Sequence, residues 1–421
     1  MSRPTAHPAT GRRRMAALIA VGIAALAALA LVSPATATAA TAAPAGPVAP
    51  RTAATKLAVG AQFHGTWAEL SDSDRARILD LLKASGATWV RIDISWSMIA
   101  PKQRGQYDTG WGVPLVDKVI KMAADRGLNV LGTFWLTPQW ASGSADKRVL
   151  PKNLQDYADA LKWSAARWKT VQAWEVWNEP NAAEFLNPAD PAAYTRLLKA
   201  SYPAVKAGNP AAKVVFAGTM FVDTDWISAA YAAGAKGSFD VMAVHPYQGK
   251  ADVAPEDVNP SAGRARLTHT PALAELMARN GQAAVPIWFT EFGWSSHPNT
   301  ASTPVWYLGV SEAVQADYLT RSLALIQAKY PQVTNVFWYT SRDLTVDGAY
   351  HQNNRGLIRR DFTAKPALTA LACYTHGCPP VVTAKGGIGA TKTGTAARAT
   401  MAGVVAPQIT VPAVRKASVK G

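Results

Sequence analysis

Between about residue 57 and residue 372, short apolar runs alternate with longer segments whose apolar positions recur every three or four residues. The short runs are Ala58 to Phe63, Thr88 to Ile94, Asn129 to Phe134, Val171 to Trp177, Lys213 to Ala217, Phe239 to Val244, Pro286 to Thr290 and Thr334 to Tyr339. Their length and composition suit buried strands. The segments between them carry helix start and stop signals. Ser71 is placed to cap a helix running to Ala84 before Gly86, and Val113 to Arg126 is closed by Gly127. Further helices are predicted at Leu154 to Trp168, Pro191 to Ala207, Asp225 to Ala233, Leu267 to Arg279, Val310 to Lys329 and Lys365 to Ala372. Eight strands alternating with eight helices, with no linker between them, predict an α/β fold of the (β/α)₈ barrel type as a single domain over residues 57–380. Two shorter α/β domains are the alternative.

The ends of the chain differ from this middle. Arg12, Arg13 and Arg14 precede the apolar stretch Met15 to Val32 and a small-residue region around Ala35 to Ala43. That is the charge, apolar and cleavage-site order of a secretory leader, so residues 1–43 read as a signal peptide, 44–56 as a linker and the mature protein as extracellular. An uncleaved membrane anchor is the competing reading. After Pro380 the chain turns to Ala, Thr, Val, Gly and Lys with no aromatic residue, and residues 381–421 read as a basic, disordered tail.

Charge follows the same division. The net charge of +15 would suggest a nucleic-acid partner, but six of the 43 Lys and Arg fall in residues 1–56 and six in 381–421, with no acid in either segment. The middle keeps 31 basic against 28 acidic residues. Nucleic-acid binding loses its support, and the tail suggests at most weak association with an anionic cell-surface polymer. The two cysteines, Cys373 and Cys378, bracket four residues and predict a local disulfide in an exported protein. No His or Cys cluster has metal-ligand spacing and no phosphate loop appears, so neither metal nor cofactor is expected, and the protein is expected to be a monomer.

Catalytic groups of such barrels come from the C-terminal ends of the strands. The fourth run ends in Trp177-Asn178-Glu179-Pro180-Asn181, where Pro180 cannot donate to a sheet and stops the strand. The seventh delivers Glu291 just before Gly293. Arg91 and Asp93 end the second, His245, Pro246 and Tyr247 follow the sixth, and Trp338 lies near the end of the eighth. Strands four and seven face each other across a barrel. Glycosidic cleavage needs an acid on the leaving oxygen and a carboxylate on the other face of the sugar, ~5–5.5 Å apart in the retaining mechanism. On that reading Glu179 is the acid/base and Glu291 the nucleophile. His64 and His245 could contact substrate or be satisfied core histidines. Arg91 could merely pair with Asp93 or another barrel carboxylate. Trp135, Trp140, Trp294 and Trp306 fall on loops at the catalytic end, where sugar stacking is plausible; Trp89, Trp163, Trp168 and Trp288 fit packing.

Trp177-Asn178-Glu179-Pro180-Asn181 together with Thr290-Glu291-Phe292-Gly293 resembles the paired signatures of glycoside hydrolase clan A, retaining (β/α)₈ enzymes. The Trp-Asn-Glu-Pro-Asn form and Thr137-Pro138-Gln139-Trp140 are similar to family 39, and family 5 is a close second; family 5 members usually place a histidine where this chain has Phe134 and Trp135. The resemblance implies that Asn178 binds a sugar 2-hydroxyl, that Tyr247 orients the nucleophile, that Arg91 keeps it ionised, and that Trp338 forms the aromatic floor of the subsite. Together with the leader, it implies a secreted, retaining hydrolase of O-glycosidic bonds in a poly- or oligosaccharide. The rival class is a non-catalytic carbohydrate-binding protein on a hydrolase scaffold, which would have no reason to keep both glutamates.

Overall fold

The computed structural model describes residues 56–344 and 351–378. The expected leader (1–43), most of the linker and the tail (381–421) lie outside the described residues. Among the described residues nine strands occur: β1 (Ala58–Gln62), β2 (Trp89–Ser95), β3 (Asn129–Trp135), β4 (Val171–Val176), β5 (Lys213–Phe216), β6 (Thr219–Met220), β7 (Met242–His245), β8 (Ile287–Phe292) and β9 (Val333–Trp338). All pair in parallel in the order β5-β4-β3-β2-β1-β9-β8-β7-β6. The ends of that order meet, because Val215 bridges Val241 in parallel and Phe216 N–H donates to Val241 O at 2.9 Å. The result is a closed (β/α)₈ barrel in which each of the eight expected runs is a stave. The two-residue β6, after β5, was not expected.

The helices are α1 (Asp72–Ala84), α2 (Trp96–Ile99), α3 (Gly112–Ala124), α4 (Gln139–Ser142), α5 (Leu154–Arg167), α6 (Pro191–Gly208), α7 (Thr224–Ala232), α8 (Thr270–Arg279), α9 (Glu312–Lys329) and α10 (Pro366–His376). Ser71 caps α1 in a full capping box with Asp74. The single-turn α2 and α4, directly after β2 and β3, escape a periodicity argument because four residues carry no helical period. At the far end of α10, Cys373 and Cys378 form the expected disulfide.

Alternation along the strands sorts the barrel interior into layers. The lowest is apolar: Trp89, Leu131, Ala173, Val215, Val241, Ala243, Trp288 and Phe337 pack together as a plug separate from the main core between strands and helices. Two residues further along the same strands come Arg91, Thr133, Glu175, His245 and Thr290, all 1% exposed or less. A third layer, with His64, Asp93, Trp135 and Tyr247, opens onto a cleft at the C-terminal end of the barrel.

Candidate active site

The middle layer is a hydrogen-bonded set of charges. Arg91 donates from Nε to Glu175 Oε2 (2.8 Å), from Nη1 to Glu291 Oε1 (2.5 Å) and Gln62 Oε1 (2.8 Å), and from Nη2 to Asn178 Oδ1 (2.6 Å). Glu175 also accepts from Thr133 Oγ1 (2.7 Å), Thr290 Oγ1 (2.8 Å) and Gly218 N–H (3.0 Å). Burial alone would push the Glu175 carboxyl upward, but the Arg91 charge and these donors hold it below its ordinary range. Burial likewise opposes the Arg91 charge, and the two carboxylates outweigh it, so the guanidinium stays protonated.

Glu291 reaches this set through an irregularity. Thr290 points into the barrel, so strict alternation would send Glu291 outward toward the helices. The β8–β9 register shifts between Phe289 and Phe292, and this re-aims Glu291 into the barrel mouth. There Oε1 meets Arg91 and Oε2 accepts from the Tyr247 hydroxyl at 2.8 Å.

Glu179 is held differently. Trp177 and Glu179 both adopt left-handed backbone angles, with φ of 79° and 40°, a conformation that costs non-glycine residues ~1–3 kcal/mol each. The fully buried Trp177 ring, whose Nε1 donates to Phe185 O at 3.0 Å, helps to hold it. So does Asn181, which binds Met220 N–H (2.8 Å) and O (3.0 Å) and Asp223 Oδ2 (2.9 Å). The turn points Glu179 across the mouth, where a carboxylate oxygen lies within 4.8 Å of one from Glu291. The partner of Glu179 is His245, whose Nδ1 is 2.7 Å from Oε1 while its Nε2 is 3.0 Å from Thr290 Oγ1. A β-carbon at Gly218 would lie 2.2 Å from His245 Nε2, so glycine is what lets the ring fit. Burial raises the Glu179 carboxyl above its ordinary value, against the pull of His245. Burial disfavours the imidazolium of His245, but Glu291 and Glu179 together raise its pKa.

The cleft above has a volume of about 690 Å³. His64, Trp135, Asn178 and Tyr247 line it together with both glutamates. Arg91 takes the carbonyl end of Asn178, which itself borders the cleft. Arg91 and His245 lie beneath the floor and not in it: both are essentially inaccessible, and they position the glutamates instead of touching a sugar. Trp338 requires a correction. It is 1% exposed, packs edge-on against Phe292 and donates from Nε1 to Arg355 O at 2.8 Å. Tyr339, one residue later, lines the cleft in its place. Asp93 does not pair with Arg91; it accepts from Gln62 Nε2 (2.7 Å) and faces His64 Nδ1 (3.2 Å). Of the loop tryptophans, Trp135 and Trp306 line the cleft, whereas Trp140 and Trp294 spend their N–H groups on Ala100 O and Val253 O. Glu175, Gln62, Thr133 and Arg355 were not anticipated. For Glu175 the signal was available, since alternation from Ala173 turns it inward.

Two facing carboxyl groups at this separation, one on a cationic and phenolic anchor and one raised by burial, at the C-terminal mouth of a (β/α)₈ barrel form the arrangement that retaining glycoside hydrolases of clan A use. The chain matches the family model described as Cellulase (glycosyl hydrolase family 5) over residues 52–339 and belongs to that family. Among solved structures it is similar to a family 39 glycoside hydrolase from Bacteroides cellulosilyticus WH2, at 25% identity and a TM-score of 0.62, over 76% of this chain and 63% of that one. The chain thus spans less than two thirds of that relative. The GH39 enzyme from Xanthomonas axonopodis pv. citri is 21% identical with a TM-score of 0.58, covering 77% of this chain and 67% of that one. A GH5_18 enzyme from Streptomyces cattleya, in complex with Manb1-4GlcNAc, is 19% identical with a TM-score of 0.59, covering 76% and 80%. The last two show the fold alone. No curated protein matches the sequence. Families 5 and 39 are the two within the clan to which the motifs pointed.

Proposed function

We propose that the protein is an extracellular glycosidase acting on a poly- or oligosaccharide, with Glu179 as acid/base and Glu291 as nucleophile. The observation that carries this assignment is the unequal surroundings of the two carboxyl groups. Glu291 is anchored by a permanent cation and a phenol, which suits a carboxylate that must attack. Glu179 is raised by burial, which suits a group that must hold a proton at neutral pH. In the first step Glu291 bonds to the anomeric carbon while the glycosidic C–O bond breaks, and the Glu179 proton passes to the departing oxygen. In the second, Glu179 as carboxylate takes a proton from water, whose oxygen bonds to the anomeric carbon as the ester to Glu291 breaks. His245, fixed by Thr290, keeps Oε1 of Glu179 in place through both transfers. Export is supported by the leader-like order of residues 1–43, and a weak hold on anionic cell-surface polymer by the acid-free tail.

The test is turnover of a panel of aryl glycosides and polysaccharides by the native protein, Glu179→Ala and Glu291→Ala. Both variants are expected to lose nearly all activity. Azide is expected to rescue Glu179→Ala on a substrate with a good leaving group and to give the β-azide product. An α-azide would reverse the two roles, unchanged turnover in both variants would sink the assignment, and binding without turnover of any substrate by the native protein would leave only a binding protein on a hydrolase scaffold.

A further inference from the structure

The two-glutamate mechanism leaves unused one cation that lines the same cleft. Arg355 is 7% exposed and forms part of the cleft wall. Its guanidinium lies 4.7 Å from the centroid of the Tyr247 ring, and the Tyr247 hydroxyl bonds the nucleophile Glu291. Nη1 donates to Gly293 O at 3.0 Å, and the buried Nε has no hydrogen-bond partner.

Comparison with the other buried cations makes Arg355 distinctive. Among the described residues Arg75 pairs with Asp72, Arg91 with Glu175 and Glu291, and Lys365 with Asp343. Arg355 is buried like these and forms no ion pair with a described carboxylate. The nearby Asp93 is engaged by Gln62 and His64. His351, on the same wall, is a neutral imidazole with its Nδ1 unpartnered: burial, the Arg355 charge and His297 pull its pKa down to about 3. A buried guanidinium without a counter-ion is unfavourable, and the face of an aromatic ring offsets only part of that cost. Arginine offers a planar fork of donors and no acceptor, which matches an oxyanion and not a lone hydroxyl.

We infer that Arg355 binds an acidic substituent, the carboxylate of a uronic acid or a sulfate ester, on the sugar ring held against Glu291, so that the substrate is an anionic glycan. This rests on the hydrolase reading for the position of the ring. The charge complementarity itself does not depend on turnover.

The experiment uses acidic oligosaccharides and their carboxyl-reduced counterparts, which differ only in carboxylate against hydroxymethyl, with sulfated oligosaccharides as a separate arm. Calorimetric binding and turnover are measured for the native protein, Arg355→Met and Arg355→Lys. The expected native preference for the acidic member is about 10- to 100-fold, the range of one charge-assisted pair. It collapses in Arg355→Met and returns in part in Arg355→Lys. A preference in the carboxylate arm alone, or the sulfate arm alone, identifies the anion. No preference by the native protein in either arm, for the acidic over the carboxyl-reduced or for the sulfated over the desulfated ligand, or a preference that survives in Arg355→Met, overturns the inference. Should Arg355→Met not fold, the native comparison and Arg355→Lys still decide. Selective binding without hydrolysis of any ligand would retain the inference and remove the hydrolase reading, whereas hydrolysis of neutral and acidic glycans alike would do the reverse.

Discussion

Replacing Arg91 by Met should separate the stability of the barrel interior from its chemistry. The guanidinium is 1% exposed and is the cation of two carboxylates, Glu175 at 0% and Glu291 at 8% exposure. Methionine fills much of the same volume but leaves both acids without their counter-charge. Removing one partner of a buried pair costs ~3–5 kcal/mol because the other charge stays buried, a large share of the ~5–15 kcal/mol that holds a domain together. Glu175 keeps three neutral donors, Thr133, Thr290 and Gly218 N–H, so it does not lose every partner. That places the expected loss near the lower figure, about 3 kcal/mol. Adding Glu175→Gln to Arg91→Met removes the orphaned charge, and the two changes should couple by ~1–3 kcal/mol in the recovering direction. Urea unfolding of native, single and double variants measures the cycle. Activity should behave otherwise: Arg91→Met loosens Glu291 and lowers kcat by about 10²-fold or more, and Glu175→Gln does not restore it, because Glu291 still lacks its anchor. A loss below ~1 kcal/mol in Arg91→Met, or strictly additive stabilities, would refute the view that the buried charges hold one another.

Three further outcomes follow from the site. His245→Gln weakens a contact that pulls the Glu179 carboxyl down, so Glu179 should keep its proton to higher pH; the descending alkaline limb of the kcat/KM profile moves up, and an unmoved or lowered limb contradicts the assignment. Tyr339→Ala should lower kcat/KM at least tenfold because that ring lines the cleft, whereas Trp338→Phe, buried behind the wall, should act mainly on the unfolding midpoint; steady-state kinetics and thermal melts distinguish them. Opening the disulfide in Cys373→Ser/Cys378→Ser, five positions apart, should cost at most ~2 kcal/mol and leave kcat unchanged, measured by melts with and without reductant.

The layout of staves and helices was legible because it rests on local periods. Ser71 with Asp74, Gly86 and Gly127 mark helix ends by chemistry confined to a few residues, and each apolar run is a strand because its neighbours alternate across the barrel wall. Glu179 and Glu291 were legible for the same reason, since Pro180 and Gly293 mark where their strands stop. Glu175 was readable in principle by counting two from Ala173, yet it lies in an otherwise apolar run where burial of a carboxylate is the unexpected choice. Trp338 was misplaced by one position, because the last residue of β9 turns into the wall and the next one carries the aromatic ring into the cleft.

The chain by itself therefore determined the barrel, the two carboxyl groups at its mouth and the disulfide that closes α10. Only the tertiary structure decided how those carboxyl groups differ. Arg91 lies 84 positions from Glu175 and 200 from Glu291, and His245 lies 66 from Glu179. The inward turn of Glu291 depends on a register shift against β9, and the environment of Arg355, which no described carboxylate pairs, on what the loops bring near it. Local periodicity sets which way a residue points along its own strand. Charge compensation, desolvation and the division into acid and nucleophile are set by what the closed barrel brings alongside.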